Sequence, residues 1–389
     1  MLAHSPPLPL VINFFDHDRD ITGEDVETVL LALKQRDRIR RIRVRALDLQ
    51  KFAMAMEEEY PILECLIIGP STEEEDSVPL MFPTSFQAPR LRHLVLISFA
   101  LPIESRLLAT ANGLVTCSLF MIQPSTYFPP NVPLQWLSSM PQLKTLLIMF
   151  TFPVPGRIGQ QVPHTPITTS VTHPNLRLFL FQCDSAYLEE VICRITTPRL
   201  ERLQIELLNE LTSSVPHLMH FIDTAKSLRF DSAVFIFSDD QVSVEMSLHE
   251  SETYTIHIHV ICCHLDRQVS SMAQIFDTFG KVFNSVEHLS LKSSRPSQEH
   301  DSVDRTEWRK ILRSFSNVKT LHVDDKSIGY LSDCLRTDDR EDPLELLPEL
   351  QEIKYSGHGH HDAGQGELAF AVFIGVRQDI GRPVTVIRS

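Results

Sequence analysis

Pro89-Arg90-Leu91-Arg92-His93-Leu94-Val95-Leu96 is the stretch on which the fold turns. Two positions after the proline stands an apolar residue. Two variable residues, an apolar one, a variable one and an apolar one follow. The closing alternation suits a half-buried strand, and a proline just before it suits a turn. The pattern recurs at Leu63–Ile68 after Pro61, Leu143–Ile148 after Pro141, Leu176–Phe181 after Pro174, Leu200–Ile205 after Pro198 and Leu350–Tyr355 after Pro348. Copies without the proline are Ile39–Val44, Leu114–Leu119, which is weaker, Val286–Leu291 and Val318–Val323. From Ile39 to Leu200 the first positions are 23 to 33 residues apart.

Between copies the apolar period becomes helical. Glu24–Gln35 carries Val26, Val29, Leu30 and Leu33 at helical spacing, and Leu49–Met56, Leu134–Met140, Leu188–Ile195 and Leu218–Ala225 behave alike. Asp304 followed by Glu307 resembles an acidic capping box opening a helix over Arg305–Phe315. Strands alternating with helices imply parallel pairing through right-handed crossovers. A unit of this length cannot bury its own apolar face, but stacked neighbours can. The expected fold is α/β: an irregular leucine-rich-repeat-like solenoid, with mainly parallel strands on one side and helices on the other. One break is expected at residues 228–263, where Val234–Phe237, Val242–Leu248 and Tyr254–Ile261 follow one another as strands in a small antiparallel meander. Residues 1–227 then form an N-terminal array and residues 264–389 a C-terminal one.

The bulk numbers narrow the function classes. A net charge of −14 lacks the basic face a general nucleic-acid binder needs. The densest apolar stretches, around Leu94–Ile103 and Leu146–Pro155, are too short to span a membrane. The N-terminus has no basic and apolar leader pattern. The 7 cysteines are odd in number and scattered, which fits reduced thiols in a cytoplasmic or nuclear protein.

In each strand the variable positions face away from the repeat interior. The first strand presents Arg41, Arg43 and Arg45; the middle strands present Ile67, Val95, Leu147 and Leu180; later strands present Gln204 and Glu206, then Ser290, His322 and Lys354. The outward face is therefore basic at one end, apolar in the middle and polar toward the C-terminus. One reading is a partner-binding surface made by Arg41, Arg43, Ile67, Val95, Leu147, Leu180, Gln204, His322 and Lys354, since large open apolar patches are unusual. The other is that the loops Pro70–Pro89 and Thr151–Pro174 fold over it. The arginines suit an acidic or phosphorylated segment, while Glu57-Glu58-Glu59 and Glu73-Glu74-Glu75-Asp76 offer pairing within the chain.

No metal or cofactor is expected. Asp16-His17-Asp18-Arg19-Asp20 with Glu27 has calcium-loop spacing, but Ile21 stands where that loop needs glycine. His257 and His259 near Cys262, Cys263 and His264, and His358, His360 and His361 with Asp362, lack zinc-ligand spacing. Phosphate-cradling loops, nucleophile elbows and kinase motifs are missing, so no catalytic residue is nominated.

Several stretches carry a resemblance. They are Leu2–Leu10, Arg38-Ile39-Arg40-Arg41-Ile42, Thr196-Thr197-Pro198-Arg199-Leu200-Glu201, Asp304–Lys310, Ser314–Leu321 and Gly381-Arg382-Pro383-Val384-Thr385. Together they resemble fungal F-box proteins with degenerate leucine-rich repeats. The resemblance implies repeats that present a protein substrate to a cullin-type ubiquitin ligase. It covers the repeat region, and no Leu-Pro-x-Glu-type F-box precedes it, so an adaptor subunit is a partner only where an F-box is supplied. The alternative is a free-standing repeat protein with no ligase role.

Overall fold

A computed structural model describes residues 8–14, 22–46, 49–71, 80–123, 127–151, 170–249, 251, 253–276, 282–295, 304–336, 345–356 and 365–388. The chain forms two compact units: residues 1–183 with 190–200, and residues 184–189 with 201–389. The first boundary was expected at 227. It falls near 200 because the meander pairs with the strand before it and with the repeats after it, and so belongs to the second unit.

In the first unit the strands are β1 (Leu10–Phe14), β2 (Ile39–Ala46), β3 (Cys65–Pro70), β4 (Leu80–Met81), β5 (His93–Ile97), β6 (Phe99–Ala100), β7 (Thr116–Ile122), β8 (Thr145–Phe150), β9 (Val171–Thr172), β10 (Leu178–Cys183) and β11 (Ile195–Thr196). The helices are α1 (Gly23–Leu33), α2 (Leu49–Ala55), α3 (Arg106–Thr110), α4 (Asn131–Ser138) and α5 (Ser185–Ile192), the last divided between the units. The main sheet runs β1-β2-β3-β5-β7-β8-β10, and every pair in it is parallel. The short pairs β4–β6 and β9–β11 are also parallel.

The second unit has strands β12 (Arg202–Leu207), β13 (Ser232–Phe237), β14 (Gln241–Ser247), β15 (Ile256–Ile261), β16 (His288–Ser293), β17 (Thr320–Asp324), β18 (Glu352–Ser356) and β19 (Thr385–Arg388). Its helices are α6 (Pro216–Thr224), α7 (Leu265–Phe276), α8 (Arg305–Arg313), α9 (Ile328–Leu335) and α10 (Gln365–Asp379). The sheet order is β12-β15-β14-β13-β16-β17-β18-β19. The meander is antiparallel, as expected, at β13–β14 and β14–β15. Its order in the sheet is inverted: β15 lies beside β12, and β13 beside β16, both in parallel.

The proline offset has a mechanical cause. Each marked copy opens with a turn whose fourth residue is the first apolar position: Leu63 N–H donates to Tyr60, Leu91 to Ala88, Leu143 to Met140, Leu176 to His173, Leu200 to Thr197 and Leu350 to Leu347. The proline is the second residue of the turn, where its fixed φ is already correct. Copies with no proline make the same bond, Leu114 to Ala111 and Val286 to Phe283. The next residue ties the copies together. In the first unit Glu64 N–H donates to Arg40, Arg92 to Glu64, Val115 to Arg92, Lys144 to Val115 and Arg177 to Lys144, at 2.8–2.9 Å. In the second unit Glu287 donates to Asp231, Lys319 to Glu287, Gln351 to Lys319 and Thr385 to Gln351. The sequence pattern is thus a repeating hydrogen-bond device.

Several helix starts are capped by side chains. Thr22 and Asp25 form a reciprocal capping box on α1. At α8 only half of the expected box forms: Asp304 accepts from Thr306 N–H, while Glu307 turns to Lys310 at 2.8 Å. The Glu189 carboxylate caps α6 from another element, accepting from His217 and Leu218 N–H at 2.8 Å each.

Alternation puts Leu66, Leu94, Leu96, Leu146, Ile148, Phe179 and Phe181 into the core of the first unit. In the second, Phe235, Phe276, Phe283 and Phe315 form one ring cluster between sheet and helices. Burying such rings contributes about 1.5–3 kcal/mol each. Arg377 on α10 is the largest fully buried side chain, at 0% exposure. Its Nη2 donates to the carbonyls of Leu347, Pro348 and Leu350, and its guanidinium lies 5.6 Å from the Phe373 ring centroid. It holds the last proline turn, which Leu347 enters with a positive φ of 49°.

Candidate functional site

The outward positions of the first unit form ladder rows. The central row runs Asn13, Arg43, Ile67, Val95, Ser118, Leu147 and Leu180, each registered with the next. Arg41 lies in the row below, opposite Cys65. Arg41 and Arg43 are exposed, while Ile67, Val95, Leu147 and Leu180 are half-buried. Ser118, in the weak fourth copy, interrupts the apolar row and is buried. In the row above, Gly69 stands opposite Arg45. A Cβ on Gly69 would lie 2.8 Å from Ile97 Cβ, so the missing side chain is what lets Ile97 occupy that row.

The arginine run divides in two. Arg40 pairs with Glu64 at 2.8 Å and Arg36 pairs with Glu58, so part of the run is neutralised within the chain. The hydrogen bond from Arg40 holds the Glu64 carboxyl below the usual carboxylate range, helped by the charges of Arg40, Arg92 and Arg41. Among the described residues, Arg41 and Arg43 make no ion pair. They leave two cations beside an apolar row.

The second unit presents a different face. Its central row runs Gln204, His257, Glu245, Val234, Ser290, His322 and Lys354. One row above, Glu206, His259, Ser243, Ile236 and Lys292 are in register. Gln204, His322 and Lys354 are half-buried. Tyr254 donates to Gln204 Oε1 at 2.8 Å, Arg202 sits 5.0 Å over the Tyr254 ring, and the His257 ring is 5.0 Å from it. His259 Nδ1 lies 3.8 Å from Glu206 Oε1. His249 and His288 stack at 3.9 Å, and His322 Nε2 is 3.4 Å from Ser356 Oγ.

Burial pulls His257, His259, His288 and His322 below the ordinary histidine value. The same cause raises Glu206. His257 Nδ1 and His259 Nε2 are buried without a hydrogen-bond partner. A proton on either atom would have no acceptor among the described residues, which adds to the burial that disfavours the charged rings. Among the described residues no group of three or more His, Cys, Asp or Glu could hold a metal ion. Cys262 is buried, with its thiol pushed up to about 12 by burial, while Cys263 is exposed.

All nine nominated residues therefore lie on outward strand faces, divided between the units: Arg41, Arg43, Ile67, Val95, Leu147 and Leu180 on the first, Gln204, His322 and Lys354 on the second. His257 and His259 were placed on one strand face but not nominated for binding, although the row of His257 also holds His322. The calcium-like loop at Asp16–Asp20 and the His358–Asp362 group lie outside the described residues, as do the middles of the two loops expected to cover the face. Among the described residues no helix is long and apolar enough to cross a membrane.

No protein-family model matches the chain, and no curated protein matches it.

Proposed function

We propose that this chain is a protein-interaction scaffold of leucine-rich-repeat type, and that it docks a partner segment on the outward strand face of the first unit. One observation carries the reading: Ile67, Val95, Leu147 and Leu180 occupy a single ladder row, half-exposed, with the unpaired Arg41 and Arg43 at its β2 end. A partner segment crossing the strands would meet cationic donors first and apolar pockets after. The resemblance to fungal F-box repeats makes the partner a ubiquitin-ligase substrate, with the ligase adaptor engaged through an F-box outside the repeats.

The test is a pull-down with quantitative mass spectrometry, using the wild-type chain and a Val95→Glu/Leu147→Glu variant. A partner retained by the first and lost by the second is expected. Equal recovery by both removes the face. Adding an F-box upstream should bring the adaptor into the wild-type sample; adaptor absent even then would favour a repeat protein with no ligase role.

A further inference from the structure

The last layer of the second unit is open on both its sheet and its helix side. β19 pairs with β18 along one edge and has no strand on its other edge among the described residues. An unpaired edge is a template for another strand. α10, the helix leading into β19, packs on α9 and buries Phe370, Phe373 and Arg377. Its opposite side carries Leu368, Ala371, Val372 and Gly375, all exposed, with Leu368 at 75% and Val372 at 52%. A helix apolar on both sides belongs between two neighbours, and a repeat end shown to water needs a polar outer face. This end has neither. Ile387 on β19, at 39%, and Ile380 after α10, at 42%, extend the apolar surface.

We propose that this end is the interface of a two-fold homodimer, in which β19 pairs antiparallel with β19 of a second copy and α10 packs against α10. Whatever covers the end must supply both an unpaired strand edge and an apolar helix side, and this chain supplies both together. The electrostatics agree. The chain carries a net charge of −14, so two copies repel least where the contact itself is uncharged. At this end Arg382 is paired with Glu349 at 3.4 Å, and the α10 stripe is uncharged. A two-fold axis between Val386 and Ile387 sets Thr385 opposite Arg388 of the second copy, so like charges do not meet along the strand pair.

Head-to-tail stacking fits less well. It would lay the apolar side of α10 against α1, whose exposed side sets Glu24 and Glu27 beside Leu31. Those carboxylates would lose water and gain no partner. An isologous contact also closes, whereas a head-to-tail one propagates.

The test is the mass of this 389-residue chain in solution, by light scattering at about 10 µM. The expected result is twice the 44.4 kDa of one chain. Val372→Glu, at an exposed site, and Ile387→Pro, on the open edge, should each give the single-chain mass with an unchanged circular dichroism spectrum. Mixing Val372→Glu with Val372→Lys should restore the doubled mass, because the two helices cross near that residue. A wild-type chain of single mass overturns the proposal. So does a mass that keeps rising with concentration, which is the head-to-tail outcome, and so does a dimer that survives both substitutions. Failure of the mixed variants to associate would overturn the α10 contact.

Discussion

In the first unit the central outward row reads Arg43, Ile67, Val95, Ser118, Leu147 and Leu180; in the second it reads Gln204, His257, Glu245, Val234, Ser290, His322 and Lys354. The inward neighbours of both rows are the same kind of residue: Leu66, Leu94 and Phe179 in one, Ile258, Leu291 and Val323 in the other. Both units also use the same turn and the same inter-copy hydrogen bond. What the buried positions specify is shared, and what the exposed positions specify is not. A binding role assigned to one face therefore does not transfer to the other.

The largest effect that would break this comparison is expected at Arg377, because among the described residues only the second unit uses a buried arginine to hold a turn. Arg377→Met leaves the carbonyls of Leu347, Pro348 and Leu350 without their donor. It should cost about 3 kcal/mol in denaturant unfolding. Hydrogen exchange should speed up in α10 and β19 and stay unchanged in β2–β10.

The neighbours Leu94 and Val95 sharpen the inward–outward division. Leu94→Ala should cost about 3 kcal/mol, because Leu94 is 0% exposed in a packed core. Val95→Thr, one residue along and on the outward side, should cost under about 1 kcal/mol. Equal losses at the two positions would mean that the face of the first unit is covered. Gly69→Val should fall between them at about 2 kcal/mol, since the new side chain meets Ile97.

The smallest effect is a difference in acid response. A histidine whose folded-state pKa lies below its unfolded one is stabilising above the unfolded value, and that stability is lost as the pH falls through it. His257, His259, His288 and His322 are all lowered by burial, so the second unit should lose stability between about pH 7 and pH 5. Glu206 is raised by burial, takes up a proton on folding, and offsets part of the loss at the acid end of that range. Among the described residues the first unit has one histidine lowered by burial, His173, against these four, so its loss over the same range should be smaller. His257→Gln/His259→Gln should flatten the pH dependence of unfolding, and an unchanged slope would show that the pair does not titrate across it.

The legible part of the fold was the part with a period. Proline-marked strands, the helices between them and the antiparallel pairing of the meander could be read because a turn donor, an alternation and a helical stripe each leave a local trace. The inverted order of the meander left none: pairing β12 with β15 depends on which edge is free when the strands meet. α7 was passed over although Leu265, Val269, Met272 and Phe276 stand at helical spacing. Its buried Gln268, which donates to Ser238 and Cys262 at 2.8 Å, looks like a surface residue in sequence. Nor does Arg377 carry a sequence signal for burial, since an arginine near a helix end ordinarily marks solvent. The outward faces could be read residue by residue, but which arginines were already paired depended on Glu58 and Glu64 arriving from the neighbouring copy.

The inverted meander also bears on how the protein is made. In the first unit each new strand of the main sheet can pair with the main-sheet strand synthesised before it. β12 waits longer on its later edge: β15, its partner there, ends at Ile261, more than fifty residues after β12 ends at Leu207. At about 5–20 residues per second, translation leaves that edge of β12 without its partner for about 3–10 s. The later edge of β12 thus waits longer for its partner than that of any main-sheet strand in the first unit that pairs within it.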